Sequence, residues 1–554
     1  MNQARIKQTL TVKPGLVYEM MYSYRSEDRI DLHADVASVG TGPQYRINYN
    51  PPSKDWVRRR LLFLIPQDVH DKGQVVVLLQ NRSTAPIWYR DVSLRETNLA
   101  ESDILAYQPS LQVKSLTADD AMIMPDSDAE FASFVGIGLP DGWEERFTME
   151  ARIYTSDGRR YPCDMENGRI RIPIKILPPG ESELNVMLYD RDQKEGRLLV
   201  AYSRHDIVRI SQAEIPDNID FSRHEVFRHK DGTAFFPVGM YAGLGWNFSV
   251  GELHKAGFNT VHTCGTDSWK VREENFKLLS DARKHGMWVM MGLPPRFQAD
   301  PKFLPDLAKW IDSYKDSPAI LFYYTDETHC QKRVPPAVIR RMYEQVKKSD
   351  PDRRIYSYER PDAKIKDCMD GVMWGVTSRG TSKLIKVRLG QDKPMIHVFG
   401  QGDHHGRTSP SLEAFQYEYI VPVIYGARGV FYWNLRAIQY SNPEGHLIKQ
   451  RLYRTVNRFS QVAQDLLSED PNPQWTHSIT TSGDAEMLVK TSGRRVLILG
   501  GVNRSGKGGE IRIQPPVGAT VRDVLNAADV NVKDGCIIRF FRPGQAVLLE
   551  VSSS

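Results

Sequence analysis

The chain has 554 residues, too many for one ordinary domain, and its 41% hydrophobic and 25% charged residues are the mixture of a globular protein with several cores. No apolar run reaches the ~18 residues that cross a bilayer, so no helical membrane span and no membrane partner are expected. The formal net charge of +5 is small and its basic residues are spread along the chain, which argues against nucleic acid as a partner.

The first residues, MNQARIKQTL, contain no apolar stretch that could serve as a secretory signal. The expectation is a secreted or periplasmic protein whose leader is absent from this chain, with a cytoplasmic protein as the alternative. Cys163, Cys264, Cys330, Cys368 and Cys536 form neither a CxxC pair nor a zinc spacing, so reduced, partly buried thiols are expected. Up to about residue 222 the pattern is all-β: short alternating runs such as GQVVVLLQN and RIRIPIKILPPGESELNVMLYD, separated by Gly, Pro, Asn and Asp. Residues 1–98 open with TVKPGLVYEMMYSYR and close with IWYRDVSLRET, a pair of end segments that resembles the carbohydrate-binding jelly rolls attached to polysaccharide-degrading enzymes. Such jelly rolls carry further strands before the equivalent of Val12, so the chain is expected to begin inside that domain. Residues 99–222 read as an immunoglobulin-like sandwich serving as a rigid spacer.

From residue 233 the period changes, and strand-length apolar runs alternate with amphipathic segments such as VREENFKLLSDARKHG and PPAVIRRMYEQVKKSD. Eight strands are predicted, at 235–242, 260–265, 288–294, 320–327, 354–359, 371–377, 395–401 and 429–435. Eight strands in ~240 residues, with no GxGxxG after the first, point to a closed (β/α)8 barrel over 223–470 and away from a doubly wound open sheet. Between the fifth and sixth strands, PDAKIKDCMD leaves little room for a full helix. Beyond SEDPNPQW, residues 471–554 return to a β pattern and are expected to form a small C-terminal β-sandwich. The fold class predicted is therefore a multidomain chain: a central (β/α)8 barrel between N-terminal β-sandwich domains and a C-terminal one.

Barrels of this kind place their chemistry at the C-terminal ends of the strands. The fourth strand ends in Asp326-Glu327, and SPAILFYYTDET followed by SDPDRRIYSY resembles the HPA-x-x-GWY-x-x-DEP signature of many glycoside hydrolases, including clan A barrels. DGTAFFPVGMYAGLGW, GELHKAGFNTVHT and YEYIVPVIYGARGVFYWNL are similar to the first, second and eighth units of the same barrels. The resemblance implies a glycoside hydrolase acting on a polysaccharide or oligosaccharide, with Glu327 as general acid/base, Asp326 beside it, and no cofactor or metal. Adjacent strand residues point to opposite faces, so Asp326 and Glu327 cannot both face the barrel mouth unless the strand has ended.

Glycoside hydrolysis needs a second carboxylate. Clan A barrels carry a glutamate at the end of the seventh strand, where this chain has Gln401. Asp403, two residues on, Glu359 after the fifth strand and Asp267 after the second are the alternatives. Three readings stay open: inversion through a loop carboxylate, a displaced nucleophile at Asp403 or Glu359, or sugar binding without cleavage. A uronate lyase is a further alternative.

Aromatic rings at the same end, Tyr241, Trp246, Trp269, Tyr324, Trp374 and Trp433, are candidates for stacking against sugar rings, with Trp288 assigned to the core. His404 is a candidate for sugar hydroxyls. Arg296, Arg360, Arg379, Arg407 and Arg436 follow the strands and would suit an acidic glycan through bidentate bonds, or simply solvate the rim. GVNRSGKG lacks the final Ser/Thr of a P-loop and precedes a strand, and HEVFRH has one residue too many between its histidines for a zinc protease. The oligomeric state is open.

Overall fold

The computed structural model describes residues 4–552 apart from 27–31, 39–43, 66–73, 82–85, 109, 115–122, 125–130, 138–141, 156, 167–168, 173–176, 192–196, 210–225, 242–248, 264–268, 295–296, 299, 330–333, 378, 391, 401–410, 434–442, 469–478, 493–494 and 505. The chain divides into two compact units, Met1–Ile215 and Pro216–Ser554.

The first unit is built on β-sheets. In the strand Val17–Ser26 every second residue (Tyr18, Met20, Tyr22, Tyr24) enters one core with Leu61, Phe63 and Val75, as the two-residue period of a strand requires. A second core gathers Ala151, Ile153, Leu184, Val186 and Ile207. One eight-stranded sheet reaches both: Leu198–Arg209 pairs in parallel with Val57–Leu64, through Leu198 opposite Arg58 and Leu199 opposite Arg59. Across this junction the buried Asp190 accepts from Arg60 at 3.3 Å and from Arg146 at 3.1 Å.

The second unit contains the expected closed barrel of eight parallel strands. In chain order these are β1 (Val238–Tyr241), β2 (Thr260–Thr263), β3 (Trp288–Gly292), β4 (Ile320–Asp326), β5 (Ile355–Tyr358), β6 (Gly371–Trp374), β7 (Met395–Phe399) and β8 (Ala427–Trp433). β8 returns to β1 with Phe431 opposite Gly239, which closes the ring. Inward residues (Tyr241, Met290, Phe322, Tyr324, Tyr356, Met373, Ile396, Val398, Phe431) fill the interior, so it is a packed core and not a pore. The alternate residues, among them Val238, Met240, Val289, Tyr323, Val372 and Tyr432, face the helices. Two glycines make room for the interior rings. A Cβ at Gly239 would fall 2.1 Å from the Phe431 ring, and one at Gly371 1.7 Å from Tyr356. A hairpin, Phe227–Arg228 with Ala234–Phe235, brings Phe227 to 4.6 Å from Tyr356 and 5.7 Å from Phe322. Trp288 is partly buried against this core, its ring tilted 4.1 Å from that of His229.

The helices are α1 (Val250–Lys255), α2 (Trp269–Lys284), α3 (Leu304–Tyr314), α4 (Pro336–Ser349), α5 (Arg379–Leu389), α6 (Leu412–Ile424) and α7 (Pro443–Ala463). Between β5 and β6 the short connection forms a 3-10 helix, Ala363–Cys368, in place of a full helix. α6 is buried all round, from Phe415 to Ile424, as expected of a helix apolar on every side. It packs on the barrel and also on Leu497, Leu499 and Leu548 of the C-terminal sandwich. That sandwich pairs a three-stranded with a five-stranded sheet around Ile498, Val502, Ile511, Ile513 and Leu549. GVNRSGKG joins the strands Arg495–Val502 and Gly509–Ile513 of this sandwich.

No helix among the described residues is long and apolar enough to cross a membrane. Cys163, Cys368 and Cys536 are free thiols, and burial pushes the Cys163 thiol up to about 12; Cys264 and Cys330 lie outside the described residues.

Candidate functional site

At the C-terminal end of β4 the side chains alternate strictly: Phe322 and Tyr324 enter the barrel core, Tyr323 faces the helices, and Thr325 meets Ser357 at 2.6 Å. Asp326 continues the inward set, its Oδ1 accepting from the Tyr241 hydroxyl at 3.3 Å. The strand ends there, and Glu327 has a left-handed backbone with φ +46°. Its N–H still donates to Tyr358 O of β5 at 2.8 Å, but its backbone has left the extended conformation on which strand alternation depends. The strand has thus ended at Asp326, the condition that the sequence rule set for both carboxylates to lie at the mouth.

Two neighbouring segments hold this turn. On the β3 side the buried Gln298 accepts from the Asp326 N–H at 3.4 Å and from the Thr328 hydroxyl at 2.6 Å, while its own amide donates to Leu293 O. On the β5 side Glu359, only 1% exposed, accepts the His329 N–H at 2.5 Å. The His329 ring lies between Val334 O, 3.0 Å from Nδ1, and Asp362 Oδ2, 3.1 Å from Nε2. The hydrogen bond to Asp362 raises the His329 pKa above its ordinary value against a smaller lowering by burial. Burial works to raise Asp362, but the His329 bond and the Lys364 N–H outweigh it and hold this carboxyl below the usual range.

Aromatic rings from five strands surround this end. Tyr241 stacks on His262 at 3.8 Å and meets Tyr324 edge-on at 5.6 Å, and Tyr358 lies 6.4 Å from Tyr241 and 5.5 Å from Trp374. Tyr324 is 2% exposed and belongs to the floor of the site, whereas Trp433 at the end of β8 is 36% exposed. The Trp433 indole crosses the backbone of Gly400, where a Cβ would fall 2.8 Å from it.

Of the residues singled out in the sequence, Tyr241, Tyr324, Asp326, Glu327, Glu359, Trp374 and Trp433 are all at strand ends on this side of the barrel. Trp269 opens α2. Trp246, Asp267, Arg296, Gln401, Asp403, His404, Arg407 and Arg436 lie outside the described residues. Arg379 pairs at 3.2 Å with Glu486 of the C-terminal sandwich. Four residues escaped the sequence reading: His262, Gln298, His329 and Asp362. Applying the strand-end rule to polar residues as well as carboxylates and aromatics would have found His262, next to the last residue of β2. Among the described residues no group of three His, Cys, Asp or Glu is placed to hold a metal ion.

No family model matches the chain, and no curated protein matches it. Solved structures with a similar outline include an α-amylase from Geobacillus thermoleovorans complexed with acarbose, 10% identical over 60% of this chain and 100% of that one, with a TM-score of 0.39. A GH27 β-L-arabinopyranosidase from Geobacillus stearothermophilus is 10% identical over 58% of this chain and 97% of that one, with a TM-score of 0.37. A GH2 β-galacturonidase from Eisenbergiella tayi bound to galacturonate is 12% identical over 82% of this chain and 89% of that one, with a TM-score of 0.29. TM-scores this low give these likenesses no weight for activity.

Proposed function

We propose that the C-terminal mouth of the barrel binds a polysaccharide or oligosaccharide and hydrolyses a glycosidic bond, with Glu327 as the general acid/base. The observation that carries this reading is the left-handed backbone of Glu327 directly after the last residue of β4. A non-glycine residue in that conformation stores strain, which persists where the surroundings hold it, and such residues cluster at functional sites. Here Gln298, Tyr358 and Glu359 all hold the turn. In this reading Glu327 is protonated to donate to the leaving oxygen and then takes a proton from water. The partly exposed Trp433 offers a flat apolar face for the C–H side of a sugar.

Assigning the described carboxylates narrows the choice of the second one. Glu359 is buried and already accepts a backbone N–H, so its proposed task is to hold the turn. Asp326 is proposed to orient through Tyr241. Asp403 and Asp267, on the chain after β7 and β2, remain as alternatives, and Asp403 is the proposed partner of Glu327.

The test is Glu327→Gln assayed against a glycan panel. Turnover is expected to fall by roughly 10²–10⁴-fold with the circular dichroism spectrum unchanged; unchanged turnover sinks the assignment. The anomer of the first product, read by NMR, assigns retention or inversion. A wild-type protein that binds glycans from the panel and cleaves none replaces the hydrolase with a carbohydrate-binding barrel.

A further inference from the structure

His329 makes three bonds in three directions. Its backbone N–H goes to Glu359, and its ring nitrogens face Val334 O and Asp362. A carbonyl oxygen only accepts, so Nδ1 must carry a proton. Asp362 uses its other oxygen, Oδ1, to accept the Lys364 N–H at 2.8 Å, where it caps the 3-10 helix Ala363–Cys368. Its Oδ2 faces Nε2 at 3.1 Å. An ionised carboxylate there requires a second ring proton. Both side chains are 22% exposed, so the pair is partly solvated and the charged form is not penalised as a fully buried pair would be.

We propose that His329 is a positioning residue for Glu327 and works as an imidazolium, its two ring N–H bonds and its backbone N–H locking the Asp326–His329 turn to Val334, Asp362 and Glu359. The inference rests on the reading of Glu327 given above. A neutral His329 keeps the bond to Val334 and turns a lone pair toward Asp362, so the lock opens on the β5 side. Val334 is tied independently, its N–H donating to Thr328 O at 3.0 Å, and the bond to Glu359 is made by the backbone, so opening is confined to the link with Asp362. Among the described residues the charged groups around the ring are Asp362 and Glu359 from the segment after β5, with Lys364 beside Asp362 and Glu327 two residues back in its own segment.

The sign of the pH dependence follows from linkage. The folded state favours protonated His329, so the lock's contribution is complete below its ordinary value of 6.5 and disappears as pH rises through the higher folded value. Asp362 is depressed, so its contribution holds above 3.8 and disappears as pH falls through the lower folded value. Between these limits the turn is locked.

Hydrogen–deuterium exchange of the peptide carrying residues 320–334 tests this in the full-length protein, corrected for intrinsic exchange at each pH. Wild-type protection is expected to drop roughly tenfold as pH rises past the histidine titration, the loss of one charge-assisted bond. His329→Gln, which cannot carry the charge, is expected to show the low protection already at pH 6. Asp362→Asn keeps the histidine and is expected to move the drop to lower pH. Protection in His329→Gln equal to wild type at pH 6, or a drop unmoved in Asp362→Asn, overturns the lock. On the glycan that Glu327 is found to cleave, the alkaline limb of kcat is expected to shift to lower pH in Asp362→Asn with KM nearly constant. An unmoved limb overturns the positioning role. If the wild type cleaves nothing while the exchange result holds, the hydrolase reading of Glu327 fails, and the positioning role with it, while the lock stands.

Discussion

An L-residue with positive φ brings its Cβ against the following carbonyl, at roughly 1–2 kcal/mol, so Glu327 needs outside help to stay there. Gln298 supplies much of it, since one buried amide serves Asp326 on one side of Glu327 and Thr328 on the other. Leucine at 298 would fill similar volume and leave the Thr328 hydroxyl, the Asp326 N–H and the Leu293 carbonyl without this partner. Gln298→Leu is therefore expected to cost about 2–3 kcal/mol by chemical denaturation and to lower kcat more than it raises KM. A loss confined to KM would separate Gln298 from the placement of Glu327. Nothing in the local sequence marks Gln298 for this task, because the segments it joins are brought together only by barrel closure. Glu327 itself was legible, since it follows a strand of clear period and sits in a recognisable motif. Its φ was not.

On the scale of elements, the motif SDPDRR before β5 turns out to be architectural. Arg353 Nη1 meets Asp350 at 2.5 Å with both side chains 3% exposed, and the guanidinium also donates to Ile320 O at 3.0 Å, Ser317 O at 2.8 Å and Lys315 O. It thereby fixes the entry of β4 against the end of α3, far along the strand from Glu327. The motif's resemblance to an enzyme signature thus reflects how β4 and β5 are set side by side. Gly371 is a second constraint of this kind: β6 begins against β5 with Tyr356 opposite it, and the Tyr356 ring fills the space a Cβ would need. Gly371→Ala is expected to cost about 1–3 kcal/mol through overpacking. The cost should shrink when Tyr356→Leu is introduced first, a coupling that a double-mutant cycle measures. Additive costs would show that the ring and the glycine do not compete for that space.

Across the second unit, one of the contacts between the C-terminal sandwich and the barrel is a charged line through His397, Glu418 and Arg504. Val376 N–H donates to His397 Nδ1 at 2.9 Å, so the ring proton is on Nε2 and goes to Glu418 Oε2 at 2.8 Å. Glu418 Oε1 meets Arg504 of the sandwich at 2.7 Å, and Arg504 lies 4.6 Å over the Tyr417 ring. Asn503 donates to Thr377 O at 2.9 Å, as does the Tyr417 hydroxyl at 3.0 Å. The sandwich thus braces the ends of β6 and β7. Arg504→Ala removes one charged partner of the buried Glu418 carboxylate and is expected to cost about 2 kcal/mol, since half-exposure of the arginine tempers the loss. Denaturant titration of Arg504→Ala and Glu418→Gln, singly and together, checks this. Full additivity would show that the two residues do not act as a pair.

The sequence by itself determined the order of the eight strands, the short link between β5 and β6, the β nature of both flanks and the strand end at Asp326-Glu327. Each of these is written in local periodicity, in turn residues or in the length of a connection. Only the tertiary structure decided that Glu327 leaves the strand's alternation, that Gln298 and His329 hold it, and that Glu418 belongs to a brace with the C-terminal sandwich. Those facts depend on residues from different βα units meeting when the ring closes. The pairs Gln298 with Thr328, His329 with Glu359 and Glu418 with Arg504 are separated by tens of residues, beyond the reach of any local period.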